Sequence, residues 1–332
     1  MTAADALGRW IWGLSGVATA VVLAVSGVVL LTRSSAPAGE YAYPQPTERH
    51  TVTIAQPVTS LAVYTYGTPV TVHGGNDRRV TVTELIGAGS AGVVSQTLSR
   101  GHLTLSDPAC QDTGCSVGFD VTVPAGVSTT VSSGGGPVSV TGVRTADLSS
   151  GGAPVIVSGT GMTKVDSGGG AVSATRINGS FTATTGGGPL QLTGCAGPLS
   201  ADSGGGAVVA RGIDAATATI STDGAPALAD FTVAPVSATV DTGGGGAILD
   251  MPGGPYAVTA DSGGGTESIG VATAPSARDS LTVTTAGGPL FINPAGGGSA
   301  GDPVGNPLPK PPRPPGPAKP PTAPKSFLTG AS

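Results

Sequence analysis

VSSGGGPVSVTG at 131–142 and LSSGGAPVIVSG at 148–159 are two copies of one unit, and their spacing decides the fold. In each, a Ser stands before a glycine-rich run, and apolar residues two apart follow it. The same Ser/Thr recurs at Ser133, Ser150, Ser167, Thr185, Ser203, Thr222, Thr242, Ser262 and Thr285, in steps of 17, 17, 18, 18, 19, 20, 20 and 23 residues. Self-similarity at a nearly fixed period of this size marks a solenoid, with one coil per repeat.

Aligned on that turn, the coils show columns. After the glycines stand Val138, Val155, Val172, Leu190 and Val208; two residues on stand Val140, Val157, Ala174, Leu192 and Ala210. Two positions before the turn stand Leu148, Val165, Ala183, Ala201, Ile220, Val240, Ala260 and Val283. Four before it stand Ala146, Thr163, Phe181, Leu199, Ala218, Ala238, Val258 and Leu281. A period of two on both sides predicts two short strands per coil, with alternate side chains turned inward. A second corner is expected at Gly142, Gly159, Gly179, Gly194 and Gly212. Nine such coils at ~4.8 Å make a body about 40 Å long. The fold class expected is therefore all-β, a Gly-rich parallel β-helix or β-solenoid of short coils, with one N-terminal transmembrane helix.

Upstream, Thr51–Ile54, Ser60–Tyr66, Pro69–His73 and Val80–Leu85 alternate like strands, and 67–74 echoes 136–142. Residues 50–125 read as the less regular opening of the same domain, covering one end of the stack against edge-to-edge pairing.

The N-terminal run at 10–32 has 23 residues without a charge, flanked by Arg9 and Arg33. About 20 apolar residues suffice to cross the hydrocarbon as a helix. Trp10 and Trp12 stand at its start, where an interfacial belt places tryptophan. The organisation expected is a short cytoplasmic N-terminus at 1–9, a transmembrane helix at 10–32, a linker at 33–49, a β-solenoid at 50–295 and a disordered, Pro-rich basic tail at 296–332. The alternative is a cleaved signal peptide, with Ala36-Pro37-Ala38 as a small-x-small cleavage site and a secreted product.

The predicted solenoid carries 8 Lys/Arg against 16 Asp/Glu, whereas the tail holds Lys310, Arg313, Lys319 and Lys325 against Asp302. An acidic body lacks the basic footprint that nucleic acid requires. Of the cysteines, Cys110 and Cys115 bracket a four-residue turn. In an exported domain they would close a small disulfide; the alternative is two free thiols. Cys195 falls near Ile177 and Ile213 and reads as a small buried hydrophobe.

Other chemistry is thin. Gly87, Gly89 and Gly92 match a dinucleotide-type spacing, but Val93–Leu98 reads as a strand where that motif needs a helix. His50, His73 and His102 belong to no nucleophile–base arrangement and read as surface residues. Asp166, Asp202, Asp241 and Asp261 each precede a turn Ser/Thr. Turn capping is the reading set against calcium binding. Thr141, Ser158, Thr175 and Thr193 form an outward hydroxyl row. No catalytic residue, cofactor or metal is expected.

Residues Pro57–Gly74, Leu103-Thr104-Leu105, the Val121-Thr122-Val123-Pro124-Ala125-Gly126 step and the Ser-Gly-Gly-Gly turns together resemble the putative-adhesin family of bacterial β-strand-repeat domains, over about 50–295. The resemblance implies a place at the cell surface or envelope and assigns no activity. The expected function is a non-enzymatic, membrane-anchored extracytoplasmic β-repeat protein. It would be adhesin-like or an envelope structural module, meeting cell-wall polymer or a protein partner. The alternative is an envelope-stress sensor or regulatory partner of a membrane protein. The expected location is the bacterial cell membrane, crossed once; oligomeric state is left open.

Overall fold

A computed structural model describes residues 23–24, 27–28, 46–87, 94–107 and 117–295. The chain divides into two units. In the first, only Leu23–Ala24 and Gly27–Val28 are described, and they pair antiparallel with each other. These four residues are extended where the apolar run predicts helix; Gly27 and Val28 are poor helix formers in water. The rest of 10–32 lies outside the described residues, as do 1–9, 33–45 and 296–332. Among the described residues no helix is long and apolar enough to cross a membrane. The second unit, Ala36–Gly298, contains the β body.

The body has two large sheets of twelve and thirteen strands. A coil runs through a strand of the first sheet (Thr145–Ser150), a glycine corner, a strand of the second (Val155–Ser158) and a second corner. The next coil lies parallel beside it and in register, Leu148 beside Val165 and Val155 beside Val172. Val138, Val155, Val172, Leu190 and Val208 are each at most 1 % exposed, as are Leu148, Val165, Ala183 and Ile220. The alternation in the sequence therefore points inward as expected. Each buried Val or Leu contributes roughly 1.5–3 kcal/mol at most. With so few aromatics, the core is a narrow aliphatic seam, widened only where Phe119, Phe181, Phe231 and Tyr256 enter it.

The corner after the first sheet explains the repeated Ser/Thr. All nine hydroxyls are buried, and each donates to the carbonyl three residues on; Ser133 to Gly136 (2.9 Å) and Ser203 to Gly206 (2.7 Å) are examples. The last glycine of the turn lets rungs approach. A Cβ on Gly170 would stand 2.1 Å from the Ala153 carbonyl oxygen of the neighbouring rung.

At the second corner Gly142, Gly159, Gly194 and Gly212 have φ of 68°, 63°, 68° and 63°, a left-handed turn. Gly179 does not belong to that column. Thr175 pairs with Thr193, so the equivalent of Gly194 is Arg176, with φ 53°. The corner after Ile177 carries one extra residue, and Gly179 instead lies close against Gly161.

Both ends depart from chain order. Ser60–Thr65 and Val70–Gly75 stack directly on Ser128–Ser133 and Val138–Thr141, so residues 60–75 form a full rung. The chain then moves outward to a further rung, His102–Ser106 with Val117–Pro124, before returning to begin the regular repeat. Antiparallel strands Pro46–Ile54, Val80–Gly87 and Ser95–Ser99 cover that end. The opening segment thus caps the stack as expected, and its first strand takes in the last four residues of the predicted linker. At the other end Ser280–Thr284 and Leu290–Pro294 insert between Ser237–Met251 and the terminal rung of Ala257–Asp261 and Glu267–Ile269. Val258 and Ala260, expected in the core, are only half-buried because among the described residues no rung follows theirs.

Candidate interaction surface

A two-sheet stack has little interior beyond its seam, so its chemistry lies on the two outer faces. On the first sheet, register places Lys164, Thr182, Ser200, Thr219, Thr239, Thr282 and Thr259 in one outward row. The next row reads Asp166, Thr184, Asp202, Ser221, Asp241, Thr284 and Asp261. Carboxylate and hydroxyl alternate along it. Asp241 Oδ1 accepts the Gly243 N–H (3.1 Å) and Asp261 Oδ1 the Gly263 N–H (2.9 Å), so these two cap their own turns. Among the described residues no three His, Cys, Asp or Glu side chains converge to hold a metal ion.

The first sheet also carries a shallow open depression lined by Thr130, Asp147, Met162, Lys164 and Thr182. Asp147 and Lys164 are cross-strand neighbours there, and Met162 is 58 % exposed.

The second sheet's outer face changes character along its length. The predicted hydroxyl row is present: Thr141, Ser158, Thr175 and Thr193 are successive neighbours. Part of it is satisfied internally, since Thr175 Oγ1 donates to Ser158 Oγ (2.8 Å), and Arg176 Nη2 donates to the same oxygen (3.0 Å). The adjacent outward row begins Ser139, Ile156, Ser173 and Gln191, mostly polar, then becomes Val209, Leu228, Ile248 and Phe291 on four consecutive rungs. All four are half-buried, each with part of its side chain open to solvent. Asp230, Asp250 and Asn293 flank them, with Asn293 Nδ2 donating to Asp250 Oδ1 (3.0 Å).

Sequence columns centred on inward residues overlook this apolar ladder. Its signal is the unbroken apolar triplets at 208–210, 227–229, 247–249 and 290–292, where alternation would put a polar residue in the middle.

The remaining candidates fall in separate places. Cys195 is buried between Ile177 and Ile213 in the column expected, and burial pushes its thiol pKa up to about 11, which makes it inert. Cys110 and Cys115 lie outside the described residues, as do Gly89 and Gly92. The segment after those glycines enters a strand, Ser95–Ser99. The histidines are exposed, each on a different partner. His50 Nδ1 meets Glu84 Oε2 (3.2 Å), His73 Nδ1 meets Thr141 Oγ1 (3.0 Å), and His102 meets Ser60.

Among the described residues two buried side-chain oxygens lack a partner, Thr129 Oγ1 and Asp107 Oδ1. Asp107 is 1 % exposed; its Oδ2 accepts the Tyr66 N–H at 3.5 Å and its Oδ1 is unpaired. Burial raises its pKa above the usual carboxylate value, against the lowering effect of backbone N–H groups.

No protein-family model matches the chain, and neither does any curated protein. Among solved structures, a putative adhesin from Bacteroides fragilis is similar at 13 % identity and a TM-score of 0.35, covering 75 % of this chain and 99 % of its own. A putative adhesin from Parabacteroides merdae is similar at 11 % identity and a TM-score of 0.31, over 75 % of this chain and 98 % of its own. A putative cell adhesion protein from Clostridium sporogenes is similar at 9 % identity and a TM-score of 0.21, over 74 % and 100 %. The first two bear the name of the family that the sequence resembles. Below a TM-score of 0.5 the likenesses carry no argument about this chain, whose fold rests on its own strand register.

Proposed function

We propose that this chain is a non-enzymatic interaction module of the cell envelope, adhesin-like, tethered by its apolar segment at 10–32 and holding the β body outside the cytoplasm. The apolar ladder Val209–Leu228–Ile248–Phe291 carries this reading, because it gives a rigid outer face a continuous apolar strip over four rungs. A strip of that kind, flanked by acidic and amide side chains, suits a partner that lies flat along the stack. The partner would be a cell-wall polymer or an envelope protein. Nucleic acid does not fit an acidic body.

Cross-linking in intact envelopes, followed by capture of the full chain, tests this. The wild type is expected to retain a bound component that Leu228→Ser/Ile248→Ser loses while keeping its β spectrum. Equal capture by both would remove the ladder from the account.

A further inference from the structure

The stack closes differently at its two ends. Antiparallel strands cover the N-terminal end, whereas Ala257–Asp261 and Glu267–Ile269 are edge strands of their sheets. The Leu290 N–H donates to the Thr266 carbonyl (2.8 Å) and the Gly270 N–H to the Ile292 carbonyl (2.7 Å). In a parallel ladder alternate residues bond to the same neighbour, so Glu267 and Ile269 turn their own N–H and C=O groups to the open edge. Ile269 is 37 % exposed, and Val258 and Ala260 are half-buried, so the aliphatic seam shows at this end. Such a surface is what every internal rung offers its neighbour, and a second copy of the chain carries the matching one.

One residue breaks the match. Glu267 pairs with Leu290 and stands in the inward column. That column holds Val172, Leu190, Val208, Ala227, Ala247 and Leu290 in other rungs, each at most 1 % exposed. Glu267 is exposed, and neither end strand contains Lys or Arg. A rung placed over it would strip water from a carboxylate against aliphatic side chains, which is heavily unfavourable without a partner charge. Inward-pointing charge and a short edge strand are known guards against edge pairing. We propose that Glu267 keeps the C-terminal end of the stack from joining a second copy of this chain end to end.

Sedimentation velocity on the full chain in one mild detergent tests it. Glu267→Leu is expected to shift the chain to dimers joined through their two open ends, while Glu267→Asp sediments like the wild type. Adding Ile269→Pro to Glu267→Leu removes an edge N–H and is expected to restore the wild-type profile. Circular dichroism confirms that each variant is folded. A Glu267→Leu profile that superimposes on the wild type would overturn the proposal. So would an assembly that survives Ile269→Pro, since the contact would then lie elsewhere.

Discussion

Asp241 and Asp261 occupy the same corner place in consecutive repeats of the sequence, yet they stand two rungs apart, with Thr284 between them. The late rung slips into the gap, so that no two neighbouring rungs from Asp166 to Asp261 both carry a carboxylate in this row. Like charges one rung apart, at ~4.8 Å, would repel. Thr284→Asp creates such a run of three. It is expected to lower the melting temperature by about 2 °C or more in low salt, and the loss should shrink in high salt as screening grows. Equal melting at both ionic strengths would show that the alternation is not electrostatic.

Asp107 takes the corner place that Thr65 holds one rung inward, as the pairing of Tyr64 with Ser106 shows. A carboxylate cannot donate as the corner hydroxyls do unless it is protonated. Below the ordinary aspartate value of 3.8 both folded and unfolded chains are neutral at this site, and folding suffers no penalty. As pH rises through 3.8 the unfolded chain ionises first, and stability falls until the raised folded pKa is passed. Asp107→Asn should therefore melt higher than the wild type at pH 7 and converge with it in acid. A difference that does not change with pH would contradict this.

Val172 and Ser173 are neighbours in sequence and face opposite sides of the second sheet. Val172→Asp buries an unpaired charge in the seam and is expected to cost about 3 kcal/mol or more. Ser173→Asp should stay within about 0.5 kcal/mol of the wild type. Chemical unfolding of both variants checks the pair, and similar losses would mean that the register is shifted by one residue.

Gly142 combines a φ of 68° with a carbonyl oxygen of Gly74 that a Cβ would meet at 2.9 Å. A β-branched residue is a steric outlier in that backbone region. Gly142→Val is expected to lose about 2 kcal/mol or more by the same unfolding measurement. The wild-type midpoint would show that the corner relaxes freely.

The inward columns were legible because alternation is local: Val138 and Val140 declare their face without any neighbour. The corner Ser/Thr was legible as a turn, though its bond to the carbonyl three residues on appears only with the backbone in place. Rung order was not legible. The 23-residue step from Ser262 to Thr285 is the one trace in the sequence of the insertion, and it reads equally well as a long loop. For the same reason the position of Glu267 at an open end could not be read, since only stacking order makes 257–269 terminal. Arg176 at the second corner was not legible, because among residue types glycine is the one that signals a left-handed backbone and Arg does not. The apolar ladder was missed because Leu228 and Ile248 sit between apolar neighbours in the sequence and are told apart from them only by the pleat.

The central claim is that the outer faces of the stack are presented outside the cytoplasm. Thr219 lies exposed in the outward row of the first sheet, and Cys195 is buried. Thr219→Cys, with Cys110 and Cys115 changed to Ser, therefore places the reactive thiol at a known point of the surface. A membrane-impermeant maleimide applied to spheroplasts measures its side directly. The account predicts that intact spheroplasts label as strongly as lysed ones; labelling that appears only after lysis would put the β body in the cytoplasm and contradict it.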